Sequence, residues 1–248
     1  MIRRVLLMCC VPGACWLGLL AQNTSEQYLL AAANQARSAH GLAPLRLDEQ
    51  LGRAAKTHAD QMADHRTISH QFEGERDLVA RASDSGARFS RLAENVGEAS
   101  DVAEIHDKWL ASEGHRENLL DPQADSVGIA VVQRGPQLYA VEDFARNVVQ
   151  LSIAQQEAKI GAILRAEGVR VDMNNADARH TCSMSIGYAG SRQPGLLIRF
   201  SAASLDRLPS SLTSRMESDQ YRVAQVGACV TGKQSPFSEY HLTVMLWP

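Results

Sequence analysis

The chain of 248 residues is 45% hydrophobic and 21% charged, an ordinary globular composition that excludes a disordered or collagen-like protein. Its 25 basic and 28 acidic side chains leave a formal charge of −3, and no Lys/Arg-rich stretch provides a footprint for nucleic acid. Aromatic residues make up 5%, which argues against a base-stacking surface.

The first segment reads as an address. Arg3 and Arg4 precede an apolar run from Val5 to Leu20, and Ala21 precedes the polar Gln22-Asn23-Thr24-Ser25. That is the pattern of a cleaved signal peptide over residues 1–21. The run is short for a spanning helix, which needs about 20 apolar residues. An uncleaved anchor and a lipid-bearing Cys15 are the alternatives. Cleavage removes Cys9, Cys10 and Cys15 and leaves Cys182 and Cys229, an even pair expected to form a disulfide in an exported chain. It also takes the basic count from 25 to 23 against 28 acids, a net charge of −5. The expected mature protein is therefore mildly acidic, secreted or periplasmic, with no membrane span and no attraction to anionic polymers.

Two stretches of different texture follow, expected as domains over 22–148 and 149–248. Ser25 can cap a first helix that His40-Gly41 stops. Asp48 caps a second, with Leu51, Ala55, His58 and Met62 on one face. Asp77–Ser85 reads as a short helix closed by Gly86. Ser100 or Asp101 opens a fourth, with Val102, Ile105 and Trp109 on one face. Val127–Gln133 and Gln137–Ala145 form a hairpin about Arg134-Gly-Pro136. Beyond residue 150, Gln155–Glu167 predicts a helix, while Arg179–Tyr188, Leu196–Ser201, Tyr221–Val230 and His241–Trp247 predict strands of a small α+β domain. The last alternates so that Leu242, Val244 and Leu246 share a face. No internal repeat is evident.

No phosphate loop, His-Glu-x-x-His or Gly-x-Ser-x-Gly motif occurs. His58 reads as a core histidine, and His65, His106, His180 and His241 as surface or strand residues. What remains is dispersed: Asn34-Gln-Ala-Arg37, Gly41-Leu-Ala-Pro-Leu45, His58-Ala-Asp-Gln-Met62, Ser69-His70, Glu94-Asn95-Val96, Trp109 through Leu120, Val127-Gly-Ile-Ala130 and Tyr139 through Phe144. In this order, over residues 26–146, these pieces resemble the CAP superfamily (SCP or PR-1-like domains) in its bacterial form.

The resemblance implies an α-β-α sandwich, followed here by the small α+β domain, with a cleft gathering two histidines and two acids. By position His70, Glu94 and His115 match three of the four, and Ser112 stands where the second acid is expected. Two imidazoles and a carboxylate suit a weak, exchangeable zinc site with one position left for water. The same trio also suits a structural hydrogen-bond cluster. Arg116 and Asn118 are expected to anchor the loop after the fourth helix. The function expected is a secreted module binding a small molecule, lipid, metal or extracellular protein. The alternatives are a metal-assisted hydrolase, with Glu94 as general base, and a structural scaffold.

Overall fold

A computed structural model describes residues 24–216, 220–230 and 237–248; the expected leader, residues 1–21, lies outside the described residues. The first half runs α1 (Thr24–Ala39), β1 (Arg46–Leu47), α2 (Glu49–His65), α3 (Leu78–Asp84), β2 (Phe89–Ala99), α4 (Val102–Ala111), α5 (Glu113–Leu119), β3 (Ser126–Arg134) and β4 (Gln137–Asn147). Its sheet has the order β1-β3-β4-β2, with β1 parallel to β3 and the other pairs antiparallel.

Alternation along β3 and β4 makes the sandwich. Val127, Ile129 and Val131, with Ala140 and Phe144, pack on Leu29 and Ala33 of α1 and on Ile105 and Trp109 of α4. The residues between them, Ala130 and Val141, face Ala55, Ala59 and Met62 of α2. Two-residue periodicity in the strands thus meets two separate helical stripes, one on each side of the sheet. Asp48 caps α2 by accepting from the Gln50 and Leu51 amides, and Asp101 caps α4 through Ala103 N, as expected of aspartate at these positions.

Three expectations need correction. The long strand β2 went unread, because most of its residues are polar or small. The segment after the fourth helix, expected as a loop, is itself helical: Ser112 is extended (φ −89°, ψ 125°) and separates α4 from α5. In the second half Arg179–Tyr188 is no strand, since Ala176–Ser183 is a helix.

That half comprises α6 (Ile153–Ala166), β5 (Arg170–Val171), α7 (Ala176–Ser183), β6 (Leu196–Ala202), α8 (Ser210–Met216), β7 (Val223–Cys229) and β8 (Tyr240–Trp247). Leu242, Val244 and Leu246 share a core with Ile160 and Leu164 of α6, while Met245 and Trp247 pack with Ala178 of α7.

Its sheet, β5-β7-β8-β6, repeats the order of the first sheet element for element. In both, a two-residue strand pairs parallel to the third strand of the unit. Arg46 N and Asp48 N donate to Asp125 O and Val127 O; Arg170 N and Asp172 N donate to Arg222 O and Ala224 O. The two aspartates each turn a side-chain oxygen onto the amide two residues ahead. In both, a strand glycine admits a helix backbone: a Cβ on Gly128 would lie 2.2 Å from the Leu51 carbonyl carbon, and one on Gly227 would lie 2.1 Å from that of Ala178. The repeat hidden in the sequence is plain in topology, in a contracted form.

Cys182 on α7 and Cys229 at the end of β7 are disulfide-bonded, 47 residues apart in sequence. Closing a loop of this length should stabilise the second half by about 4 kcal/mol in the chain-entropy model. Reduction is expected to lower the unfolding midpoint of residues 153–247 while amides of the first sheet keep their hydrogen-exchange protection. Equal loss of protection in both sheets would contradict this. Among the described residues, no helix is long and apolar enough to cross a membrane.

Candidate functional site

The site forms where the edge strand β2 meets the loop between α2 and α3. β2 lies at the edge of its sheet, so the carbonyls on its outer side need other partners. Asn118 Nδ2 donates to Glu94 O, Trp109 Nε1 to Val96 O and Lys108 Nζ to Glu98 O. The matching Trp109 and Asn118 thus close a sheet edge, and Asn118, expected in a loop, does so from helix α5. Asn95, on the opposite face from Glu94, accepts from Asn118 and donates to His115 O, tying α5 to the strand. Arg116 Nη1 donates to Leu110 O across the α4–α5 break.

Glu94 is the centre of the cluster. Its side chain is 2% exposed. Oε1 is 2.9 Å from His70 Nδ1, and Oε2 accepts from Arg81 Nη2 on α3. The His70 ring is 64% exposed, so a surface imidazole is moored to a buried carboxylate. The hydrogen bond to Glu94 raises the His70 pKa above its ordinary value despite partial burial. His115, on α5, moves the other way: burial lowers it first, and the nearby His70 adds to the shift. Its Nδ1 is buried without a hydrogen-bond partner among the described residues. His70 and His115 therefore lie within electrostatic reach of each other, with their pKa values shifted in opposite directions.

Ser112 does not substitute for an acid. It occupies the extended joint before α5 and its side chain makes no capping bond. Glu113 is exposed. Ser69 Oγ donates to Gln71 O, which commits that hydroxyl to its own turn.

Four participants escaped the sequence. His58, read as a core histidine, is indeed fully buried, yet its ring nitrogens meet Glu75 and Ser69 O. Arg81 joins Glu94 to the His70 carbonyl and lies 3.6 Å from Glu75. Asp143 stands across the β2–β4 pair from Glu94. Burial, then the Glu94 charge, pushes the Asp143 carboxyl well above its ordinary value. His58 carried a signal, a polar residue on an apolar helical stripe. Asp143 carried none, because strand register brings it to Glu94.

As a three-ligand zinc set, His70, Glu94 and His115 do not fit. Both Glu94 oxygens are taken, one by a guanidinium whose loss would leave a buried charge. Among the described residues no three His, Cys, Asp or Glu side chains are arranged to hold a metal ion. Any metal here would have the imidazoles and solvent alone.

Among its described residues, the second half does not repeat this cluster. Counted from its parallel strand pair, the positions of Asp143 and Glu94 are held by Met245 and Leu197, which pair across β8 and β6. Both pack with Ala178 and Trp247 in a small apolar core.

Residues 30–150 match the model of the cysteine-rich secretory protein family, CAP. The uncharacterized protein YkwD of Bacillus subtilis (strain 168) is 28% identical over 111 residues, covering 44% of this chain and 43% of that protein. The uncharacterized membrane protein YlbC of the same organism is 32% identical over 127 residues, covering 51% of this chain and 36% of that protein. The chain thus spans less than half the length of these relatives. A crystal structure of an extracellular SCP-domain protein from Bacillus anthracis is similar at 30% identity and a TM-score of 0.47, covering 50% of this chain and 40% of that one. Through residues 30–150, this chain belongs to the cysteine-rich secretory protein (CAP) family.

Proposed function

We propose that this protein is an extracytoplasmic binding module whose ligand is taken over His70 and His115. One observation carries the reading. The Glu94 carboxylate, the group a metal-assisted hydrolase would use as general base, is buried, with one oxygen engaged by Arg81 and the other by His70. What solvent meets is the moored imidazole of His70. With Nδ1–H directed at Glu94, a neutral His70 turns its Nε2 lone pair outward, an acceptor for a ligand N–H or O–H or a donor to a soft cation. Residues 1–21 and the disulfide favour a location outside the cytoplasm. Among the described residues of the second half, Leu197 and Met245 put an apolar pair at the equivalent position.

Zinc alone is the first probe. At about pH 7.5 it should perturb the His70 and His115 ring signals in fast exchange, weakly, and the effect should fade near pH 5.5 as protons compete for the nitrogens. His70→Ala should abolish it. A fluorescent casein substrate should remain uncleaved with or without zinc. Zinc-dependent cleavage that disappears in His70→Ala would favour the hydrolase instead.

A further inference from the structure

We propose that His58 is a positioning residue of the cleft: a buried imidazolium, donating from both ring nitrogens, that fixes the loop presenting His70. The proposal rests on reading His70 as the ligand-facing group.

His58 is fully buried on α2. Its Nε2 lies 2.6 Å from Ser69 O and its Nδ1 lies 2.7 Å from Glu75 Oε1. A carbonyl oxygen only accepts, so Nε2 carries a proton. The Nδ1 side is settled by what surrounds Glu75. Its second oxygen accepts from Phe72 N at 3.0 Å, and Arg81 Nη1 stands 3.6 Å from Oε1. A carboxyl facing an amide donor and a guanidinium is an acceptor, so Nδ1 carries a proton as well. His58 Nε2 also lies 3.9 Å from Glu94 Oε2, so the ring faces two buried carboxylates, and a buried charge is tolerated when it is paired and hydrogen-bonded in this way.

The placement gives the charge a purpose. Residues 66–77 contain neither helix nor strand, so their shape comes from side-chain bonds. His58 holds this loop at Ser69, the residue before His70, and again at Glu75 near its other end. Gln71 Nε2 to Glu75 O and Arg81 Nη1 to His70 O add two further ties. His58 therefore acts on the ligand-facing imidazole through the loop backbone, without touching solvent.

The test uses the full chain labelled with nitrogen-15 at neutral pH, read by long-range proton–nitrogen correlation of the histidine rings. Both His58 nitrogens should be protonated and exchange slowly. In a folded His58→Gln variant, the His70 ring signals should move toward those of Glu94→Gln, because His70 is no longer held against its carboxylate. A single bare nitrogen on His58 overturns the proposal. So do His70 signals that stay at their wild-type positions in His58→Gln. Should that variant fail to fold, Glu75→Gln reads the same loss: one ring proton on His58 and a shifted His70. No ligand enters the measurement, so a failure of zinc to bind would overturn the binding reading and leave this one standing.

Discussion

Gly128→Ala should unfold the first half or destabilise it by about 3 kcal/mol or more, at or beyond the upper end of overpacking costs. The added methyl would meet Leu51 C at 2.2 Å and Gly52 N at 2.4 Å. These are backbone atoms inside a helix, and relief requires α2 to move off the sheet. α2 carries His58, so the cleft loop would shift with it. Gly52→Ala is the control: the same helix gains a methyl that meets nothing within 4 Å. It should be neutral or gain about 0.5–1 kcal/mol from helix propensity. Gly227→Ala should reproduce the severe effect in the second half, with its Cβ 2.1 Å from Ala178 C. Chemical denaturation of the three variants checks the set. A mild Gly128→Ala would mean that α2 does not sit against β3 as described.

Glu142→Gln should stabilise the protein, and increasingly so as pH rises. Glu142 lies fully buried between Ile129 and Asn95 on β4, and neither carboxyl oxygen has a hydrogen-bond partner among the described residues. Burial pushes its pKa from 4.5 up to about 8. The folded state therefore keeps a proton that the unfolded chain releases. Folding stability from this group is fully present below pH 4.5 and is lost as pH climbs toward about 8. By linkage, the loss at pH 7 is about 3 kcal/mol. Glutamine is neutral throughout, so the variant and wild type should unfold alike near pH 4 and diverge toward pH 8, where the gap saturates. A gap that does not vary with pH would show that Glu142 ionises normally in the folded protein.

Periodicity served the helices well because each buries one stripe. The α2 face of Leu51, Ala55, His58 and Met62 is buried as spaced, and the β3–β4 hairpin emerges about Gly135, whose φ of +63° suits glycine. β2 was illegible because it is an edge strand. Its polar Glu94 and Asn95 serve the cluster and the α5 tether rather than a two-faced apolar pattern. α7 was misread because Arg179-His-Thr-Cys182 contains β-formers, yet the segment packs over Gly227 as a helix. The motif pieces proved to be mostly fastenings. Arg37, 1% exposed, donates to the carbonyls of Ala43, Leu119, Asp121 and Ala124, and Asn34 brackets Leu45. His70 and Glu94 could be named from the family pattern. Their partners His58, Glu75, Arg81 and Asp143 could not, because loop closure and strand register assemble that cluster across 85 positions of sequence.

Glu94 is engaged by His70 and Arg81, one on each oxygen. The most direct measurement is the ring titration of His70 and His115 by NMR in the wild type and in Glu94→Gln. His70 should titrate above 6.5, because its hydrogen bond to Glu94 favours the charged ring, and His115 should titrate below 6.5, because burial disfavours it. The His70–Glu94 pair then contributes stability at acid pH, and that contribution fades as pH rises through the folded His70 value. In Glu94→Gln, His70 should fall toward an ordinary histidine while Arg81 loses its buried partner. A wild-type His70 titrating at or below His115, or one unmoved by Glu94→Gln, would contradict the account.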